Sequence, residues 1–215
     1  MVHDDNVQIG ICDLAHSYDD SEIVYKEESR RRVYNSSKAI TEMLYQKSFL
    51  VSVCAKIYPK EYFRDLKFPK GLIYEDAAVM CRILEKAETI AYSDARLYAY
   101  IHRDGTITTN RFSDKDFDII PISKNIVEHY RTEEVAIRKA AYTYFINSCM
   151  RIYLNAPRKK AYFNKVGYCE KHIKNGRWKC ILNPKVRTKL RIALILFSLN
   201  KKLLFGIYKK VDRWS

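Results

Sequence analysis

The chain has 215 residues, 47% of them apolar and 30% charged. That is room for one domain of ordinary size with an appendage, and it excludes wholesale disorder. The net charge of +14 is unevenly held: residues 1–130 carry 18 Lys and Arg against 21 Asp and Glu, a balance of −3, whereas residues 131–215 carry 21 against 4, a balance of +17.

In chain order, VQIGICDL (7–14) predicts a buried strand and EIVYKEE (22–28) a second, with SYDDSE between them as turn material. SSKAITEMLYQ (36–46) predicts a helix capped by Ser36 or Ser37, with Ile40, Met43 and Leu44 on one face. FLVSVCAKIY (49–58) is apolar and β-branched enough for a strand, and a helix fits it too. Pro59 opens a short helix, PKEYFRD. EDAAVMCRILEKA (75–87) predicts a helix whose stripe is Val79, Met80, Ile83, Leu84 and Ala87. TIAYSD (89–94) and RLYAYIHR (96–103) predict strands, and DGT (104–106) a turn.

From Ser113 onward the periodicity is helical only, over roughly 113–130, 133–154, 157–174 and 184–211. The last of these carries Leu190, Ile192–Phe197, Leu199, Leu203–Phe205, Ile207 and Tyr208 between basic flanks. Its longest apolar run, Ile192–Leu199, is broken by a serine and falls short of the ~20 residues that span a bilayer. An apolar body with basic flanks and Trp214 suits a helix lying in an anionic membrane surface, and it also suits a core helix docked on its own domain. Nucleic acid fits the basic tail less well, because no nucleic-acid motif accompanies it. The 17 tyrosines suit clefts and interfaces. The six cysteines form no CxxC pair and no zinc spacing, which predicts reduced thiols. The acidic start MVHDDNVQIG has no apolar stretch of signal-peptide length, which predicts a chain without one.

Glu75 and Asp76 stand where a helix begins, and acidic residues are favoured there whatever their role, because the free N–H groups and the dipole welcome negative charge. A carboxylate so held is also equipped to act as a general base on a substrate hydroxyl. The surrounding order of residues extends this: Lys56-Ile57-Tyr58, then Phe68-Pro69-Lys70-Gly71, then Glu75-Asp76, then Leu97-Tyr98-Ala99-Tyr100, Arg103 and Gly105-Thr106-Ile107. This ordered set, with VQIGICDL ahead of it, resembles the C-terminal half of the catalytic domain of bacterial family 2 glycosyltransferases over roughly residues 6–112.

The resemblance implies a mixed α/β chain. Residues 1–112 would be the C-terminal part of a GT-A nucleotide-sugar transferase domain, 113–180 a helical extension, and 181–215 a basic amphipathic membrane-surface helix. It implies an inverting transfer from a nucleotide-diphosphate sugar to an acceptor hydroxyl in surface polysaccharide or lipid-linked glycan synthesis, at the cytoplasmic face of the cell membrane. Asp76 matches the family's base, and Glu75 would orient its neighbours. Arg103 would pair with diphosphate oxygens, with Tyr98, Tyr100, His102, Thr106 and Lys56 as further substrate contacts. His102 has two further readings, a metal ligand or a structural residue, and Lys56 has the alternative of a solvated surface lysine.

The family's nucleotide-binding half comes first in sequence and carries a D-x-D-type motif that holds Mg²⁺ or Mn²⁺ against the diphosphate. Ahead of the VQIGICDL strand there is no room for that motif: His3-Asp4-Asp5 directly precedes the strand, where the family interposes a helix, and reads as a turn or remnant. The expectation is therefore a transferase that needs a missing N-terminal half. The alternative is a non-catalytic truncated or partner-dependent module that associates with a membrane.

Overall fold

The structure is a computed structural model that describes residues 6–18, 23–102 and 111–210. The chain divides into two compact units, Met1–Arg111 and Phe112–Ser215. The first is mixed α/β. Its strands are β1 (Ile9–Ser17), β2 (Arg31–Tyr34), β3 (Lys56–Ile57) and β4 (Ile90–Ile101), in the order β2-β4-β1-β3. β1 and β4 run parallel, and the two outer strands are antiparallel to them. Helices α1 (Ser36–Leu44) and α2 (Glu75–Glu85) lie between the parallel strands in sequence and pack on each other. Ile9, Ile11 and Ile90 of the strands and Ile40, Met43 and Met80 of the helices are at most 1% exposed and form the core.

Several elements depart from expectation for local reasons. α1 is capped by Asn35, whose side chain accepts the Lys38 N–H at 2.9 Å, while the Ser36 hydroxyl donates to the Leu84 carbonyl near the end of α2. The expected strand over 49–58 survives only as Lys56–Ile57, because Ala55 adopts a left-handed backbone (φ 59°) that breaks the extended run. The PKEYFRD helix is a 3₁₀ turn, Lys60–Phe63. The two strands expected over 89–103 are one, β4, interrupted by a bulge: Ile11 pairs with Tyr92, Asp13 with Arg96 and Leu14 with Tyr98.

The bulge has a consequence for residues 23–28, where a strand was expected and only the single bridge Lys26–Arg96 forms. Asp94 in the bulge accepts the N–H groups of Ser29 (2.9 Å) and Arg30 (2.8 Å), the Ser29 hydroxyl (2.6 Å) and the Lys26 ammonium (3.0 Å). These bonds satisfy the backbone of 26–30 without a ladder. They also hold the Asp94 carboxyl well below the usual carboxylate range, with the Ser29 hydroxyl bond the largest cause. A carboxyl lowered on folding stabilises above its unfolded pKa, about 4, and stops doing so as pH falls through its folded value. Asp94→Ala is expected to strip hydrogen-exchange protection from the Ser29 and Arg30 amides at neutral pH. Protection equal to wild type would show that another contact holds the segment.

The second unit is helical: α3 (Ile119–His129), α4 (Val135–Asn155), α5 (Phe163–Ile181), α6 (Thr188–Leu199) and α7 (Lys201–Lys210). α4 is central, with 13 of its 21 residues buried on several faces and α3 and α5 packed on it. Gly176 of α5 makes the close approach possible, since a Cβ there would lie 2.6 Å from both Ile146 Cδ1 and Tyr142 Oη of α4. α5 starts later than the sequence suggests, after a 3₁₀ turn at Lys160–Tyr162.

The expected single C-terminal helix is two. Asn200 is extended (φ −154°, ψ 103°); its N–H closes α6 on the Leu196 carbonyl at 2.8 Å, and its side chain accepts the Leu203 N–H at 3.0 Å as the cap of α7. No helix among the described residues is long and apolar enough to cross a membrane.

Candidate active site

α2 opens at Glu75. Tyr74 before it is left-handed (φ 65°) and contributes no side-chain cap, so Glu75 and Asp76 occupy a first turn with free N–H groups. Glu75 is half-exposed and its carboxylate has no hydrogen bond or ion pair among the described residues. Asp76 turns to the segment before β3, where its Oδ2 accepts the Val53 N–H at 3.1 Å.

That segment carries Lys56. Its ammonium donates to the Ser52 carbonyl and, at 3.3 Å, to the Cys54 carbonyl, and it lies 5.8 Å from the centre of the Phe49 ring. The solvated surface lysine that the sequence allowed is not what forms. Burial lowers the Lys56 pKa to about 8, against the pull of Cys54, Asp76 and Cys12, which favour the charged form. β3 is tied to β1 here, the Cys12 N–H donating to the Ala55 carbonyl at 2.9 Å. Tyr58 closes the floor, donating to the Val53 carbonyl (3.2 Å) and to Met80 Sδ (3.4 Å). Burial first, and then the Asp76 charge, push its hydroxyl far above the ordinary tyrosine range. Tyr58 stands edge-on to Phe63, and Phe63 stacks on Phe68, so the residues of the Lys56-Ile57-Tyr58 and Phe68-Pro69 segments form one aromatic wall.

Tyr98 joins this group from β4. The Cys54 side chain beside it is the largest reason its pKa is raised. Tyr100, two residues on, shares the same face of the strand. In register with His16 of β1, it belongs to a second cluster: His16 Nδ1 and His102 Nε2 are 3.0 Å apart, Tyr18 stacks on His102 at 4.5 Å, and Tyr100 stands edge-on to both imidazoles. Burial, then His102 and Arg96, lower the His16 pKa. The cluster sits at the C-terminal ends of the two parallel strands, the place where open α/β sheets bind their ligands.

The fold thus brings Asp76, Lys56 and Tyr98 together and puts Tyr100 and His102 one step further along the same face. Arg103 and Thr106 lie outside the described residues, as does His3-Asp4-Asp5. The facing nitrogens of His16 and His102 bond each other, which leaves neither free for a cation. Among the described residues no three side chains of metal-ligating type converge. Cys12, Cys54, His16 and Tyr18 were not among the residues that the sequence pattern marked. Cys12 and Cys54 read only as thiols. His16 is a lone histidine, and its partner is 86 residues away.

Chemically, the arrangement offers a carboxylate at a helix N-terminus beside an ammonium in a poorly solvated floor, rimmed by tyrosine hydroxyls. A carboxylate so placed can take a proton from a hydroxyl, and the cation can offset charge that builds on a leaving anion. No family model matches the chain, and none of the curated proteins compared with it is a significant match.

Proposed function

We propose that the first unit is the acceptor-activating part of an inverting glycosyltransferase of the bacterial family 2, GT-A kind. Asp76 takes the proton of an acceptor hydroxyl. The acceptor oxygen forms its bond to the anomeric carbon from the opposite side as the bond to the nucleoside diphosphate breaks, and the electron pair leaves with the diphosphate. Lys56 lowers the energy of the negative charge that moves through the site, and Tyr98 and Tyr100 contact the sugars. Arg103 and Thr106 are assigned to the diphosphate by resemblance alone. The donor-side half, with its metal-binding acidic motif, is supplied from outside these residues. The acceptor is a glycan or a lipid-linked glycan.

One observation carries this reading. Residues from three separated pieces of the resemblance, Lys56, Asp76 and Tyr98, meet around the single segment 52–56. A helix start that served only itself would not need its Asp to hold that segment. The test is transfer from a panel of nucleotide-diphosphate sugars by the whole protein as its gene encodes it. Asp76→Asn keeps an acceptor for the Val53 N–H, so the fold is expected to hold while turnover falls by about 10²–10⁴-fold, the usual span for a general base. Turnover at the wild-type rate removes Asp76 from the role and the reading with it.

A further inference from the structure

The C-terminal helices settle one question and open another. α6 buries Leu190, Ala193, Leu194 and Phe197. α7 docks through Leu204, and its Tyr208 hydroxyl donates to the Asn155 side chain at 2.7 Å while Phe205 lies 5.4 Å from Tyr153. So both helices pack on their own unit. Yet Ile192, Ile195 and Leu199 of α6 are 51%, 40% and 78% exposed, and Leu203 and Ile207 of α7 are 49% and 40% exposed. Their spacing, three and four on α6 and four on α7, makes a single row on each helix. Isolated exposed leucines need no explanation, but an exposed apolar row on each of two consecutive helices is a surface awaiting a partner.

The charge around the row selects the partner. Residues 171–211 hold twelve Lys and Arg and no Asp or Glu. Lys202, Lys209 and Lys210 are exposed on α7 itself, and Lys185, Arg187 and Lys189 are exposed just before and at the start of α6. A protein partner would have to match this cation field with carboxylates and cover the apolar row at once. A bilayer with anionic headgroups offers both layers: phosphates at the level of the lysines and acyl chains beneath them. Nucleic acid would pair with the cations and leave five large aliphatic side chains in water.

We infer that α6 and α7 form a docking surface for an anionic lipid bilayer, lying in its interface with Ile192, Ile195, Leu199, Leu203 and Ile207 turned to the acyl region. The surface owes nothing to the transfer reading, and either can fail alone. The experiment is co-sedimentation of the full chain with vesicles of phosphatidylcholine, with and without 30 mol% phosphatidylglycerol, a composition set by the test. The expected result is at least tenfold tighter binding to the anionic vesicles, weakened by 0.5 M salt. Ile195→Glu combined with Leu199→Glu should lose at least tenfold more. Both positions are exposed, so the variant should keep its circular dichroism and melting temperature; Val33→Glu, at an exposed position of β2, should bind as wild type. Binding that salt abolishes but the double variant leaves unchanged would overturn insertion of the row. No vesicle binding, self-association of the free chain abolished by the double variant, or binding to RNA in preference to vesicles would each overturn the surface as a bilayer site.

Discussion

Lys56→Met is expected to make the protein more stable at pH 7 and, on the proposed reading, slower in transfer. The Lys56 ammonium is part-buried, with a pKa of about 8 against an ordinary value of 10.5. By linkage that difference corresponds to roughly 3 kcal/mol of destabilisation while the amine is charged in both states, that is, below about pH 8. As pH rises from 8 towards 10.5 the folded state gives up its proton first, so the wild type gains stability through that window. Methionine fills much the same volume without the charge, and it leaves the Ser52 and Cys54 carbonyls without their donor, a loss of roughly 1–2 kcal/mol. The variant should therefore be about 1–2 kcal/mol more stable at pH 7 and no more stable than wild type at pH 10.5. Urea unfolding at the two pH values checks it. Tyrosine circular dichroism suits the first unit, because both tryptophans, Trp178 and Trp214, belong to the other half of the chain. A stability difference of the same sign and size at both pH values would mean that the ammonium is well solvated. Gained stability with at least tenfold slower transfer is the pattern of a residue kept for function against the interest of the fold.

Met80→Ala is expected to cost about 2–5 kcal/mol, a large part of the 5–15 kcal/mol that holds a domain together. Met80 is fully buried in α2, one turn past Asp76, and its sulfur accepts the Tyr58 hydroxyl. Truncation removes the apolar contacts, leaves a cavity, and withdraws one of the two acceptors of a buried hydroxyl. Met80→Leu keeps the volume and should cost less than about 1.5 kcal/mol. The ratio of the two losses, read from urea midpoints with unchanged slope, separates cavity formation from the lost sulfur contact. If leucine costs as much as alanine, the sulfur contact is the larger part of the effect.

The part of this fold that was legible in the sequence is the part governed by local rules. α2 announces itself because acidic residues open it and Val79, Met80, Ile83 and Leu84 follow at helical spacing; those four are buried as expected. β1 reads correctly as a buried strand, since Ile9 and Ile11 are buried without any helical period. What failed depended on backbone geometry or on distant partners. FLVSVCAKIY has strand composition, and nothing about an alanine warns that residue 55 will turn left-handed. The strand expected at 22–28 was lost to Asp94, some 65 residues later. Asn200 is a break that the sequence does mark: a side chain that caps helices, standing between an apolar run and two lysines. Of the site, sequence order supplied Asp76, Lys56 and Tyr98. The burial of Lys56 and the presence of His16 follow only from the way the strands pair.

That same asparagine decides a matter of length. An unbroken helix from Thr188 to Lys210 would measure about 35 Å at 1.5 Å per residue, more than the ~30 Å of a bilayer's hydrocarbon core. Cut at Asn200, the 12 and 10 residues of the two pieces reach only about 18 and 15 Å. Lys201 and Lys202 stand directly after the cut, near the middle of the would-be span, where each would cost about 2.5–3.5 kcal/mol in hydrocarbon. A segment long enough to span in one piece is thereby divided into two short helices. A short polar side chain at the bend and two cations beside it leave neither arm long enough to cross a bilayer.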